Sequence, residues 1–446
     1  MMSALLRLAG GVLVGQLAVI GFGVADTVML GRGADTAGLA TLALGQAIYI
    51  TLYVTLAEVM QALLPALARA HGEGAPQRVA ATFRQGLWLA AALALPGVAL
   101  LAWPQPLLAL GGHPGDPLVL HYLRVQALGL PAALMFRAHV ALGQAIARPL
   151  LPTLLQSAGL LVKLLLNALL LDPAAFGLHA PHGLGALGCA IATSATQWLL
   201  LGAAVLQHRH AATLRGLGAL RRWTAPEAAA LRALLRLGLP IGASVLVEVS
   251  AFTGMALFIS RLGEIPLAAH QIAANLAALV YMVPLSMAIA GSALVAQRLG
   301  ADAAAAARRT AWHGIGVAML IGLALSLLIG LLRDDIAALY TSDPAVRAVA
   351  AHLLLFIAAY QVFDALQCGC AFALRAWHIA TLPSVLYALS LWGVGLGGGY
   401  LLGFDPFHIV PPTLHGAAGF WAGNAAGLAF TGISLALLLG RITTRD

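Results

Sequence analysis

Four carboxylates interrupt long apolar runs: Asp26 in VADTVML, Glu58 in TLAEVMQ, Glu248 in VLVEVSAF and Asp364 in YQVFDALQ. A low dielectric disfavours the charged form of such a group. At the centre of a membrane helix it costs about 3 kcal/mol on insertion scales unless it is paired or hydrated. A carboxylate of this kind can take up a proton or Na⁺ and release it when its surroundings open to water, which is the chemistry of ion coupling. Neighbours on the same helices point the same way. Tyr360 stands four residues before Asp364, on the same helix face, where its hydroxyl could share a cation or proton with the carboxylate. Gln361 and Gln367 flank Asp364 at three-residue steps. Phe252 follows Glu248 by four residues, and an aromatic face beside a carboxylate suits a flat organic cation. Lys163 and Asn167 lie one turn apart in VKLLLNALL. Lys163 is too deep to reach the interface, and a pairing with Glu58 would cancel both charges. The rival reading of each acid is a hydrogen-bonded packing group between helices, and it is the stronger one for Glu58.

The elements that must position these residues follow from composition. Of 446 residues, 61% are hydrophobic and 9% charged, whereas a soluble domain carries about a quarter charged residues. So little polar side chain cannot cover a water-facing surface, and the expected solvent is lipid. A span needs roughly 20 apolar residues. Runs near 6–31, 39–68, 80–103, 118–145, 150–172, 184–207, 231–260, 266–297, 310–332, 346–374, 380–403 and 416–439 qualify. They lack the period-two alternation of membrane strands. The expected fold is an all-α integral membrane protein of about twelve transmembrane helices. The first run is too long for a signal peptide and has no A-x-A site after it, so it is read as the first span.

Orientation comes from the basic residues. With both termini cytoplasmic, about eighteen arginines fall inside, and Arg32, Arg124, Arg261, Arg333 and Arg347 stay outside, a clear positive-inside bias. The net charge of +8 is then mostly topology and implies no nucleic acid. Cys189, Cys368 and Cys370 show no disulfide or metal spacing and are read as packing residues. No resident metal, cofactor or catalytic residue is expected.

The least apolar stretch, 208–236, is basic and central. It reads as a cytoplasmic linker with a short surface helix, Thr224 or the preceding turn capping the helix after Pro226. The flanking halves resemble each other. GLATLALGQ at 38–46 aligns with PLAAHQIAA at 266–274, ARAHGEG at 68–74 with AQRLGAD at 296–302, and TFRQG at 82–86 with TAWHG at 310–314, all at one offset of 228 residues. The expected organisation is an N-terminal six-helix lobe (1–208), a linker (209–229) and a C-terminal six-helix lobe (230–446). Six spans return the chain to its starting side, so the repeats are parallel, an arrangement typical of transporters with the substrate site between the halves.

Four stretches carry a family resemblance: ADTVMLGRGADTAGLA, LGLPIGASVLVEVSAF, LAAHQIAANLAALVYMVPLSMAIAGSALVAQRLGA and AAYQVFDALQ. With them the chain resembles the multidrug and toxic compound extrusion (MATE) family, in its bacterial NorM-like branch, along nearly its whole length. The resemblance implies two six-helix lobes around a V-shaped cavity, and antiport of organic, often aromatic, cations against Na⁺ or H⁺ by alternating access. It implies a multi-pass protein of the bacterial inner membrane, and the internal duplication makes a functional monomer the expectation. Residue by residue, Asp26 matches the acid of the first lobe, and Asn167 and Thr193 match polar residues near it. Glu248, Tyr360 and Asp364 match the cation site of the second lobe, where Na⁺ would bind only transiently. His270, Gln271 and Asn275 fall in the eighth-helix motif. The implied coupling residues are Glu248, Asp364, Tyr360 and Asp26, and the implied substrate contacts are Asp26, Glu248, Asp364, Phe252, Gln271 and Asn275. Glu58 and Lys163 are charged where the family pattern leads one to expect neutral residues, and APHG and FDPFHIVPP make unusual outer loops.

Other readings are weaker. GVGLGG at 393–398 spells G-x-G-x-x-G, but it lies inside an apolar span, with no strand before it, so close helix packing or a bend is expected instead. A flippase for a lipid-linked sugar would favour a strongly cationic cavity, and the deep charges are mainly acidic. An intramembrane acid–base enzyme would need a convergent carboxylate pair, and no motif for one is visible.

Overall fold

The computed structural model describes residues 2–31, 36–110, 116–176, 183–220 and 223–444. Arg32, Arg221, Arg222 and Arg445, and Ala180, Pro181 and His182 of the APHG loop, lie outside the described residues. Twelve helices among the described residues are long and apolar enough to cross a membrane. They are α1 (Met2–Gly31), α2 (Gly38–Gly72), α3 (Pro76–Ala102), α4 (Pro117–Ala145), α5 (Leu150–Leu171), α6 (Gly185–His210), α7 (Ala228–Ser260), α8 (Glu264–Gly300), α9 (Ala304–Leu331), α10 (Pro344–Ala376), α11 (Thr381–Phe404) and α12 (Ala417–Thr443). The protein is thus an all-helical, multi-pass membrane protein, as its composition requires. In hydrocarbon only a helix or a closed barrel satisfies every backbone group internally.

Local chemistry fixes several helix starts. Asp116 accepts a hydrogen bond from the Leu118 amide at 2.9 Å, and Pro117 opens α4. Asp343 accepts from Ala345 at 2.8 Å, and Pro344 opens α10. In each case a capping carboxylate takes up orphan donors and the proline fixes the first helical φ.

The chain forms two compact units, Gly10–Gly238 and Met1–Ala9 with Leu239–Asp446. In the first unit α4 is the hub, packed on α2, α3 and α6. In the second the hub is α10, packed on α8, α9 and α12. Each hub is the fourth of the six spans in its half of the chain. The segment after α6 carries a short helix, Ala212–Leu217, and is tied down on α3. Arg84 Nε donates to the Thr224 hydroxyl at 3.1 Å, Gln85 Nε2 to the Ala225 carbonyl at 3.1 Å, and Trp88 Nε1 to the Thr224 carbonyl at 2.9 Å. Thr224 was expected to cap α7. It is committed to α3 instead, four residues before that helix begins.

All of the GVGLGG run but its last glycine lies in a π-helical stretch, Ser390–Gly397, within α11. Here α11 and α12 meet through glycine. A methyl group on Gly423 would stand 2.5 Å from Gly399 N, and one on Gly419 would stand 2.5 Å from Gly403 N. Small residues allow this approach of backbones, which drives helix association in lipid.

Candidate functional site

Asp26 on α1, Lys163 and Asn167 on α5, and Thr193 on α6 converge inside the unit Gly10–Gly238. The Lys163 ammonium lies 2.9 Å from Asp26 Oδ1 and 3.0 Å from Oδ2, and it also donates to the Thr193 hydroxyl. Asn167 Nδ2 donates to Asp26 Oδ1 at 2.8 Å, and Thr193 donates onward to the Cys189 carbonyl at 2.9 Å. Phe22 presents its ring 5.6 Å from the ammonium. Lys163 and Asn167 are 0% exposed and Asp26 3%. The three donors of the ammonium therefore have two carboxylate oxygens and a hydroxyl, the satisfaction a buried charge needs.

This corrects one expectation. Lys163 was to neutralise Glu58, but the carboxylate set against it belongs to Asp26. Glu58 is half-buried on α2 and accepts from Gln61 Nε2 at 3.4 Å. The same cluster bears on Asp26 itself, expected as a coupling and substrate-binding carboxylate, since it already holds an internal cation. Beside it is a cavity of about 690 Å³ lined by Phe22, Tyr49, Tyr53, Tyr122, Phe136 and Arg137 as well as Asp26 and Lys163.

The second cluster lies in the other unit. Glu248 on α7 and Asp364 on α10 are within electrostatic reach of each other, and Tyr360 is within reach of both. Two further phenols join them. Tyr387 on α11 shares a hydrogen bond with Glu248, and Tyr281 on α8 is within reach of both acids, its hydroxyl 4.0 Å from Cys368 Sγ. Asp364 is 4% exposed, Tyr360 6% and Tyr387 9%, and Glu248 is half-buried. Asp364 Oδ2 and both polar atoms of the Gln361 side chain are buried without a hydrogen-bond partner. Such atoms are ordinarily satisfied by water or an ion. The chemical capacity of the group is to hold one positive ion between two carboxylates, with phenolic oxygens to complete its shell.

Aromatic packing supports this cluster from α12. Trp421 is fully buried and meets Phe252 at 6.0 Å, His270 at 5.7 Å and Tyr360 at 5.9 Å between ring centroids. Phe252 and Tyr360 thus pack on the same indole ring. Gln271 and Asn275 lie on the exposed face of α8, where Asn275 Nδ2 donates to the Gln271 carbonyl at 3.0 Å. Their neighbour His270 turns inward. Sequence reasoning did not find Trp421, Tyr281 or Tyr387, because an aromatic residue in an apolar span looks the same whether it packs or serves a site. Among the described residues, no group of three or more His, Cys, Asp or Glu side chains is placed to hold a metal ion.

Twelve spans in two units, with ionisable side chains buried at mid-helix, are the architecture of a membrane transporter. The MatE family model matches residues 12–169 and 240–401. The chain belongs to the MatE family. It is 38% identical over 442 residues to the probable multidrug resistance protein NorM of Aromatoleum aromaticum, covering 97% of this chain and 93% of that protein. It is 34% identical to the multidrug resistance protein PmpM of Pseudomonas aeruginosa, covering 99% of this chain and 91% of that one. In fold it is similar to a MATE transporter solved in a bent conformation, with a TM-score of 0.87 at 18% identity, covering 99% of this chain and 95% of that chain. It is likewise similar to the eukaryotic MATE transporter AtDTX14, with a TM-score of 0.83 at 18% identity, over 98% of this chain and 95% of that one.

Proposed function

We propose that this protein is a multidrug efflux transporter that exports organic, often aromatic, cations by antiport against Na⁺ or H⁺. Its place would be the bacterial inner membrane, with both termini in the cytoplasm and a single chain as the working unit. The observation that carries the coupling site is Asp364, whose Oδ2 is buried without a hydrogen-bond partner next to the equally unpartnered Gln361 side chain, with Glu248 and Tyr360 within electrostatic reach of it. The multidrug names of the NorM and PmpM relatives support the efflux reading. In the cycle, Na⁺ or H⁺ enters the carboxylate pair from outside and displaces the drug cation. The ion then leaves inward, and the restored negative charge attracts the next drug. Differential affinity of the two access states for ion and drug supplies the drive. A carboxylate pair serves this role because each positive occupant removes the same electrostatic penalty.

The test is ethidium transport by purified protein in vesicles, with a Na⁺ gradient and a pH gradient imposed one at a time. One of the two should drive transport, and Glu248→Gln with Asp364→Asn should abolish it. Driven transport that survives the double substitution would remove the coupling site from these residues.

A further inference from the structure

The cluster around Asp26 has the form of an occupied cation site. Its central positive group, the Lys163 ammonium, takes both carboxylate oxygens of Asp26 at 2.9 and 3.0 Å, the Thr193 hydroxyl, and the face of Phe22. Asn167 holds the carboxylate from the other side. These are the oxygens and the ring that a free ammonium or an organic cation would use, and they come from α1, α5 and α6. The adjoining cavity is aromatic, and its charged lining residues are Asp26, Lys163 and Arg137. A carboxylate already engaged by a buried ammonium has little attraction left for a second cation. Arg137 adds a positive charge to the same wall.

We propose that Lys163 is a tethered counter-cation that bars organic cations from Asp26 and makes this cavity selective for aromatic molecules bringing no unpaired positive charge. Lys163 is thereby a specificity-determining residue, which neither the family match nor the relatives' names assign. The inference builds on the efflux reading above, and its test is arranged to stand or fall separately.

Ethidium binding is measured by fluorescence anisotropy on purified full-length protein carrying Glu248→Gln and Asp364→Asn, with no gradient present. In that background, binding should be the same with Asp26 as with Asp26→Asn. Adding Lys163→Gln should tighten binding about 30-fold or more, the lower end for a buried charge that gains or loses its partner, and Asp26→Asn should erase the gain. If Lys163→Gln does not fold, Lys163→Ala purified with ethylammonium carries the same test. The added amine should raise its melting temperature saturably, only while Asp26 is present, and its removal should open Asp26 to ethidium. Asp26-dependent ethidium binding with Lys163 in place would overturn the proposal. So would a folded Lys163→Gln with no gain, or a Lys163→Ala protein indifferent to the amine. A failure of the efflux reading would appear elsewhere, as gradient-driven uptake that survives the Glu248 and Asp364 substitutions.

Discussion

Consider Gly423→Ala in the seam between α11 and α12. The added methyl carbon would stand 2.5 Å from Gly399 N, 2.7 Å from the Gly395 carbonyl oxygen and 2.8 Å from Gly399 Cα. All three are backbone atoms, so no rotamer change relieves the clash and one helix must shift. Overpacking of a well-filled site costs about 1–3 kcal/mol, and backbone contact puts this case at the upper end. Alanine returns about 1 kcal/mol of helix propensity, which leaves a net loss of about 2 kcal/mol. Gly393 is the control. It lies in the π-helical stretch of α11, is exposed, and a methyl group there meets nothing within 4 Å. Gly393→Ala should therefore leave stability unchanged or raise it by up to about 1 kcal/mol. The assay is unfolding of the purified protein in mixed micelles with increasing SDS, followed by tryptophan fluorescence. Trp421 is a useful reporter because it sits two residues before Gly423 and is fully buried. Equal stability of the two variants would refute the reasoning, as would a Gly393→Ala loss as large as that at Gly423.

Two further outcomes are expected. Tyr387→Phe removes the hydrogen bond to Glu248, which favours the empty, charged carboxylate by about 1.5–3 kcal/mol; half-saturation for the coupling ion in vesicle uptake should fall about tenfold, and an unchanged value would detach Tyr387 from the site. In the loop after α11, Asp405 Oδ1 accepts from the amides of Ile409 at 2.9 Å and Val410 at 3.2 Å, and Oδ2 lies 3.3 Å from His415 Nε2. Desolvation opposes ionisation there, but these amides and His415 outweigh it and hold the Asp405 carboxyl below its usual range. The loop stabilisation is therefore complete above the ordinary carboxyl value of about 4 and is lost as pH falls through the lowered folded value. Amide exchange at Ile409 and Val410, corrected for intrinsic rates, should keep its protection from neutral pH down to about 4. It should lose protection at pH 7 in Asp405→Asn, and equal protection in the two proteins would contradict the account.

What the sequence revealed, and what it hid, divides along physical lines. The spans were legible because hydropathy is a local sum, and α1 through α12 need only a long apolar run each. The Tyr360 and Asp364 pairing on α10 was legible because four residues make one helical turn. Gln271 and Asn275 obey the same rule, but it does not say which face turns inward. They share a motif with His270 and lie one turn apart, yet His270 enters the core and they do not. Which side of a helix faces inward is decided by its neighbours, and inside lipid both sides are apolar. The partner of Lys163 was out of reach for the same reason. Asp26 is 137 residues away, Glu58 was an equally plausible acid, and only the packing of α1 against α5 separates them. Tyr281, Tyr387 and Trp421 lie on three different helices, and no spacing along the chain links them. The glycines of α11 did signal close packing, but their spacing said nothing of the π-helical stretch they build.

The distance in sequence between Asp26 and Lys163 also bears on how the protein is made. At about 5–20 residues per second, the ribosome needs on the order of ten seconds to deliver the lysine after the aspartate. During that interval the first helix carries an acid into the bilayer with its ammonium partner still unsynthesised. The N-terminal half therefore cannot settle span by span as each segment emerges. The first helix reaches its final burial only when the fifth arrives, and charge neutralisation acts as a checkpoint on the order of assembly.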